Sequence, residues 1–314
     1  MRIVLATWNI YFFGNNEKVE RTPHDLDTIA GVIDRLAPDV LALEEIVDPN
    51  TLESVLASDL LRSKDRDYVI RTEDGSPLCS QDKPFADPER LQKVFLCVNR
   101  ATVDVVRAAP VHGVSATHVR LPFAAHIRHR SSAHEMTVVA AHLRSGFPDF
   151  HDAADASVRF READAIRRWI GGESTVLNPE FPRPETADIA VLGDFNYQLS
   201  PELDVVDSFE KNTTDPRHSL DPLRKLTGWT FENAKPGGAN WETALYEGDQ
   251  LVIDFILMSP SLAARATRPP TVYAWDYDEE LGGGAKFHVG PNGTGYLKGY
   301  GVSDHRPVYA EFGI

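Results

Sequence analysis

Cysteine is scarce: the 314 residues contain two, Cys79 and Cys97. A chain of this length with so few is not a disulfide scaffold, and no Cys/His spacing suggests a structural zinc site. Positive charge is also in short supply. Lys and Arg number 32 against 47 Asp and Glu, a formal net charge of −15. That balance excludes a polybasic nucleic-acid binder or a membrane-surface protein held by bulk charge. It leaves nucleic-acid chemistry open, because a local basic path or a bound cation can still receive phosphate. Long apolar runs are missing as well. The first, Ile3–Ala6, stops by Trp8-Asn9 and is too short for a signal h-region. No stretch approaches the ~20 apolar residues of a membrane span. The expectation is a soluble, cytoplasmic, monomeric protein. No repeat, low-complexity tract, Pro/Ser linker or charge shift divides the chain, so residues 1–314 are expected to form one domain.

What is present is a 42% apolar content, enough for a large core, laid out as short apolar runs between longer mixed segments. Arg2–Trp8 reads as a buried strand. Leu26, Ile29, Ala30, Ile33 and Leu36 fall at helical spacing, with Thr22-Pro23 and Asp25 as a start signal and Pro38 as the stop. Asp39–Leu43 reads as the next strand. Lys93–Val98 with Val103–Val106, and Phe123–Arg128 with Met136–Ala141, read as two strand pairs. Ser157–Ile170 reads as a helix with Phe160, Ala163, Ile166 and Trp169 on one stripe. Ile189–Leu192, Leu251–Met258 and Val308–Phe312 complete the strands. Thr72–Glu89 and Asp276–Gly301 read as long loops. The second holds Gly282-Gly283-Gly284, which lacks the Gly-Lys-Ser/Thr of a phosphate cradle and reads as plain loop.

Polar residues stand at the ends of these apolar runs: Asn9, Glu45, His142, Asp194 with Asn196, Asp254, and Asp304 with His305. Strand ends are where an α/β fold presents side chains to a cleft. Each residue alone has an ordinary reading. Asp194 fits a turn, His142 a satisfied core histidine, and Ser303-Asp304-His305 a strand cap; one of Glu44 and Glu45 can simply face solvent. Asp254 is harder to dismiss, because a carboxylate among Val252, Ile253, Phe255 and Ile256 is costly to bury unless paired. As a set they are rich in carboxylate and amide oxygen and contain no thiolate. Hard oxygen donors suit Mg²⁺, Mn²⁺ or Ca²⁺ better than Zn²⁺, and the histidines add proton-transfer partners.

The order of the motifs is more specific than any one of them. Trp8-Asn9-Ile10, Leu43-Glu44-Glu45, Ala141-His142-Leu143, Gly193-Asp194-Phe195-Asn196, Ile253-Asp254-Phe255 and Ser303-Asp304-His305 span almost the whole chain. In that order they resemble the endonuclease/exonuclease/phosphatase superfamily, the deoxyribonuclease I-like fold. The opening Asn9–Gly14 also resembles that of the secreted deoxyribonucleases. The resemblance implies a four-layer α/β sandwich of two packed mixed sheets flanked by helices. It also implies hydrolysis of a phosphoester with Mg²⁺ or Mn²⁺.

Roles carried over by position place Asn9, Glu45 and Asp304 around the metal, with Glu45 rather than Glu44 as the matching glutamate. His305 stands at the scissile phosphate and Asp254 orients it. Asp194 and Asn196 position the attacking water and the phosphate. His142 donates to phosphate oxygens, and Arg120 matches an arginine that precedes a proline. Three positions depart from the pattern. Gln92 or Lys93 falls where deoxyribonuclease I-like members carry a supporting glutamate. Tyr11 replaces an arginine or aspartate, and Val252 an arginine. The implied activity is a phosphoester hydrolase, foremost a nuclease cleaving DNA or RNA. The alternative is a phosphodiesterase or phosphatase acting on a nucleotide, small molecule or lipid headgroup. For a nucleic-acid partner, Arg128-His129-Arg130 offers a basic edge and Tyr68 with Arg71 a groove contact; the competing reading is a solvated strand end. No Gly-x-Ser-x-Gly elbow or calcineurin-type motif appears.

Overall fold

The computed structural model describes residues 1–14, 21–79, 92–111, 120–145, 153–173, 181–197, 220–226, 228–230, 243–246, 249–273, 302–303 and 305–314. Its strands are β1 (Arg2–Phe13), β2 (Val40–Ile46), β3 (Tyr68–Val69), β4 (Lys93–Asn99), β5 (Val103–Pro110), β6 (Phe123–His129) and β7 (Glu135–His142). They continue with β8 (Ile189–Asp194), β9 (Ala244–Tyr246), β10 (Asp249–Leu251), β11 (Asp254–Met258), β12 (Ala266–Val272) and β13 (Val308–Gly313). The helices are α1 (Pro23–Leu36), α2 (Pro49–Leu56), α3 (Asp59–Arg62), α4 (Ala153–Ile170), α5 (Asp221–Arg224) and α6 (Pro260–Ala263). One sheet has the order β12-β13-β1-β2-β4-β3 and the other β11-β8-β7-β6-β5, with β9 and β10 forming a separate ribbon. Both large sheets are mixed: β1 runs parallel to β2, β7 parallel to β8, and the other pairs are antiparallel.

The layers follow from the period-two alternation of the strands. In β1, Ile3 and Leu5 meet Val40, Ala42, Leu96 and Val98 of their own sheet and Val138, Ala140, Ala190, Leu192 and Ile256 of the other. Ala6, Trp8 and Ile10 face the opposite way, onto Ile29, Ile33 and Leu36 of α1. On the far side, Val139, Ala141, Val191, Phe255 and Leu257 pack against Ala163, Ile166 and Trp169 of α4. Helix, sheet, sheet and helix therefore enclose three apolar interfaces, the expected four-layer sandwich. Strands covered on both faces carry near-continuous apolar runs, which is why β1, β2 and β8 were legible.

Helix α1 begins as read: the Thr22 hydroxyl accepts from Asp25 N, the Asp25 carboxylate accepts from Thr22 N, and Pro23 takes the first turn. It ends at Ala37, in the left-handed region, before Pro38.

Several expectations are corrected. Strands β4 and β5 are not a pair: β4 lies between β2 and β3, whereas β5 pairs with β6 in the other sheet. The short Asn99–Thr102 turn crosses between sheets. Asn99 accepts from Asp67 N and Ala101 N, Thr102 donates to Asp39, and Arg130 N donates to the Thr102 carbonyl, so the turn is tied to both sides. A short polar turn looks the same in sequence whether it closes a hairpin or changes sheet. Strand β12 went unread because it contains Pro269 and Pro270; it lies at a sheet edge, where a missing N–H costs least. Helix α4 starts before Ser157, and on its stripe Phe160 is only half-buried while Arg159 and Glu162 are buried. Leu78 and Cys79 of the first supposed loop run beside β4 and lie in the core, while Pro77 bridges to Arg71. The remainder of that loop from residue 80, and Asp276–Gly301 with its Gly run, lie outside the described residues.

The pairing of Phe123–Ala141 holds, and its basic edge lies at the far end of β7 from His142. Arg128 and Arg130 both lean on Asp104, at 3.8 and 2.8 Å. They sit where Arg128 pairs with Glu135, at the opposite end of β7 from His142, roughly 23 Å along the strand at ~3.3 Å per residue. His129 is buried against Ser132. Tyr68 is buried with its hydroxyl donating to the Pro38 carbonyl, and Arg71 pairs with Glu53 at 2.7 Å.

Candidate active site

Strand register assembles one row of the site. His142, the last residue of β7, stands opposite Asp194, the last of β8, and Asp194 stands opposite Asp254, the first of β11. The second row comes from the other sheet. Asn9 lies within β1 rather than at its end, opposite Glu44 of β2. Beyond that pair the register slips on both β1 and β2, and Glu45 adopts a left-handed φ of 61°. Bulges re-aim side chains in this way. Here the bulge separates two adjacent glutamates. Glu44 turns fully inside, where it accepts from Thr7 at 2.9 Å, and Glu45 rises beside Asn9. The expectation that one of the pair faces solvent is therefore corrected.

The two rows meet at Asn9 and His305. Asn9 Nδ2 donates to Asp194 Oδ2 at 3.0 Å and to Glu45 Oε1 at 3.3 Å. His305 Nδ1 lies 2.9 Å from Asp254 Oδ2, and its Nε2 lies 4.0 Å from Asp194 Oδ2. The His305 backbone is pinned by Trp8 Nε1, which donates to its carbonyl, and by Ser303, which accepts from its N–H while donating to the Asn9 carbonyl. Thr243 Oγ1 accepts from both Ile253 N and Asp254 N, fixing the start of β11. His142 Nε2 is 3.4 Å from Asp194 and 3.9 Å from Glu45. Asn196, at φ 48°, donates its backbone N–H to Asp194 Oδ1 and its side-chain amide to the Leu143 carbonyl.

Arg120 is drawn into the same constellation. Its guanidinium donates to Gln92 Oε1 at 2.8 Å and to the Leu143 carbonyl at 3.3 Å, and Gln92 Nε2 donates to Glu45 Oε2 at 2.8 Å. Gln92, standing where the family pattern has a glutamate, thus relays Glu45 to Arg120. The Phe12 N–H supplies a further donor to Glu45 Oε2. Every expected site residue among the described residues is in this cluster; Asp304 lies outside them. Sequence reading missed Glu44, Thr243 and the Leu143 carbonyl. Only Glu44 carried a signal, a second carboxylate beside Glu45.

The electrostatics follow from burial. Asp194 is pushed up to about 7 by desolvation and by Asp254, opposed by His305, by the Asn196 N–H and by Asn9. Glu44 is raised well above the ordinary glutamate range by burial and by Asp254. His142 is held well below its usual value by burial, with Arg120 and His305 adding repulsion, so it is a neutral imidazole at pH 7.

The donor set fits a hard cation. Asp194, Asp254 and His305 offer ligand atoms within 4.8 Å of one another. Asn9 Oδ1 is buried and has no hydrogen-bond partner among the described residues, although Nδ2 of the same amide makes two bonds. The open oxygen stands beside Glu45 and Asp194, a hard-donor setting suited to a divalent cation, and crowded buried carboxylates gain most from a positive charge.

Comparison with known proteins agrees with this architecture. A Bacteroides vulgatus endonuclease/exonuclease/phosphatase structure is similar at TM-score 0.58 and 15% identity, covering 100% of this chain and 99% of that one. D. rerio TDP2 complexed with a single-strand DNA product is similar at TM-score 0.60 and 12% identity, with 100% and 99% covered. ANGEL2, described as a 2',3'-cyclic phosphatase, is similar at TM-score 0.59 and 13% identity, with 99% and 95% covered. No curated protein matches the sequence. The sequence profile of the Endonuclease/Exonuclease/phosphatase family matches residues 6–305, which contain every site residue described above, and the chain belongs to that family.

Proposed function

We propose that this phosphoester hydrolase cleaves phosphodiesters with a divalent cation held by Asn9, Glu45 and Asp304, and that residues 1–314 act as one catalytic domain. The observation that carries the reading is the His305–Asp254 pair facing Asp194 across 4.0 Å, with the open Asn9 oxygen beside them. A divalent cation such as Mg²⁺ or Mn²⁺, if held there, would supply positive charge to non-bridging phosphate oxygens and to the leaving oxygen.

The chain's own residues do the rest. Asp254 accepts the Nδ1 proton of His305, which fixes the tautomer and turns Nε2 toward the scissile phosphate. Neutral His142 donates a hydrogen bond without adding charge. Asp194, held by Asn9 Nδ2 and the Asn196 N–H, orients the attacking water. Arg120 and the Asn196 amide are fixed donors beside the phosphate, preorganised by their shared bond to Leu143.

The nucleic-acid reading draws support from the TDP2 neighbour with its DNA product. The pairing of Arg128 and Arg130 with Asp104, far from the site, favours the second reading, a small phosphoester. No described helix is long and apolar enough to cross a membrane. A panel decides: single- and double-stranded DNA, RNA, bis-p-nitrophenyl phosphate, nucleoside monophosphates and phosphoinositides, in Mg²⁺ and Mn²⁺, with His305→Ala in parallel. Polymer cleavage lost in the variant establishes a nuclease. Variant-sensitive turnover of small esters alone establishes the second reading. Turnover that persists after exhaustive chelation, or in His305→Ala, refutes the proposal.

A further inference from the structure

One buried helix residue grips the site through a single peptide group. The peptide joining Leu143 to Arg144 follows directly on His142. Its carbonyl accepts from Asn196 Nδ2 at 3.0 Å and from Arg120 at 3.3 Å. Its N–H donates to Glu162 Oε2 at 2.6 Å. Both ends of one rigid plane are therefore held, one by α4 and the other by two side chains of the site. Three residues back along α4, on the same face, Arg159 donates to the next carbonyl, that of Arg144, at 3.1 Å. The Leu143 N–H is also taken, by the Asp194 carbonyl at 2.9 Å. Glu162 and Arg159 are buried at 3% and 1% exposure, and the other buried positions of the helix among the described residues are apolar.

Two polar side chains in that stripe need a use, since burying them is costly unless they are bonded. A rotation of the 143–144 peptide would turn its carbonyl away from Asn196 and Arg120 together. We propose that Glu162 is a positioning residue that holds the Leu143–Arg144 peptide in the orientation that aims Asn196 and Arg120 at the substrate phosphate. The inference rests on the phosphodiesterase reading for its consequence in turnover, and on the hydrogen bonds alone for its consequence in structure. At position 162 the acceptor oxygen at glutamate length does the positioning, and Arg120, Arg144 and Arg159 lie close enough to feel its charge as well.

The test uses the full chain with bis-p-nitrophenyl phosphate in Mg²⁺, together with NMR of the Asn196 side-chain amide in the metal-free protein. Glu162→Ala is expected to lower kcat about tenfold or more with KM little changed, as a misplacement of site groups does. Glu162→Gln keeps the acceptor and is expected to stay within about threefold of the parent, the range of an intact hydrogen bond. Combined with Asn196→Ala, Glu162→Ala should add less than its separate loss, because both act on one bond network. The Asn196 amide signal should move and exchange faster in Glu162→Ala and not in Glu162→Gln. Should Glu162→Ala not fold, Glu162→Asp keeps the charge, shortens the reach and is expected to behave as alanine would. Glutamine as damaging as alanine, independent losses with Asn196→Ala, or an unmoved Asn196 amide would each overturn the proposal. An inactive parent would refute the hydrolase reading, and the amide signal would still decide the role of Glu162.

Discussion

Gly193→Ala tests whether the site depends on the close approach of β7 and β8. A Cβ at Gly193 would lie 1.8 Å from the Ala141 carbonyl oxygen and 2.8 Å from its carbon, whereas ordinary contact begins at 3.4 Å. The strands would have to part by 3.4 − 1.8, about 1.6 Å, against a normal spacing of ~4.8 Å. Gly193 also holds φ at +146°, which L-residues rarely adopt. Overpacking and backbone strain together are expected to cost on the order of 3–5 kcal/mol. With a urea slope of ~3 kcal/mol/M, the unfolding midpoint falls by roughly 1–1.7 M. The next pair along the ladder is His142 with Asp194, now 3.4 Å apart at Nε2 and Oδ2. A shift of ~1 Å at such a pair costs about 100-fold in turnover. Urea unfolding and steady-state kinetics on bis-p-nitrophenyl phosphate measure both. A midpoint within ~0.3 M of the parent, below ~1 kcal/mol, and a rate within about threefold would refute the packing argument.

Asp254→Asn should leave the fold intact by circular dichroism and lower kcat by about 10³–10⁴, because the amide cannot hold His305 in the same tautomer; a loss under tenfold would show that the pair is structural only. Glu44 carries its proton more tightly folded than unfolded, so its contribution to stability is present below an unfolded value of ~4.3 and is lost as pH rises above it. Glu44→Gln retains the acceptor for Thr7 and should therefore gain stability over the parent at pH 8 relative to pH 5, read as urea midpoints in chelator. An unchanged gap between the two pH values would count against that reading. Arg128→Ala and Arg130→Ala should leave kcat and KM within about twofold on any polymer the parent cleaves, as their pairs with Asp104 are surface pairs worth ~1 kcal/mol or less. A tenfold rise in KM would return that strand end to the substrate path.

Much of the sandwich was legible because its strands are buried on both faces, so β1, β2, β7 and β8 announce themselves as apolar runs ending in polar residues. The candidate site was legible from the order of its motifs, since Asn9, His142, Asp194 and Asp254 each have an ordinary reading alone and gain specificity only together. What could not be read is whatever depends on the third dimension alone. The sequence around Asn99 does not say whether the turn stays in its sheet. The two prolines of β12 hide a strand that only its edge position permits. Glu44 and Glu45 differ in role because a bulge rotates one past the other, and nothing local to Leu43-Glu44-Glu45 records it. Arg159 and Glu162 look like the solvated face of α4 until the peptide they hold is seen.

Strand β13 lies between β12 and β1, and Arg2 pairs with Gly313. The first strand made is thus completed by the last, and His305 stands just before that closing strand. Asn9 and Glu45 precede His305 by more than 250 residues in the sequence and reach it only through that closing strand. The two rows of the candidate site therefore cannot meet until β13 has docked between β12 and β1. Closing the sheet and assembling the site are one event, so a fold that loses its closing strand loses the neighbour of Asn9 and Asp254 with it.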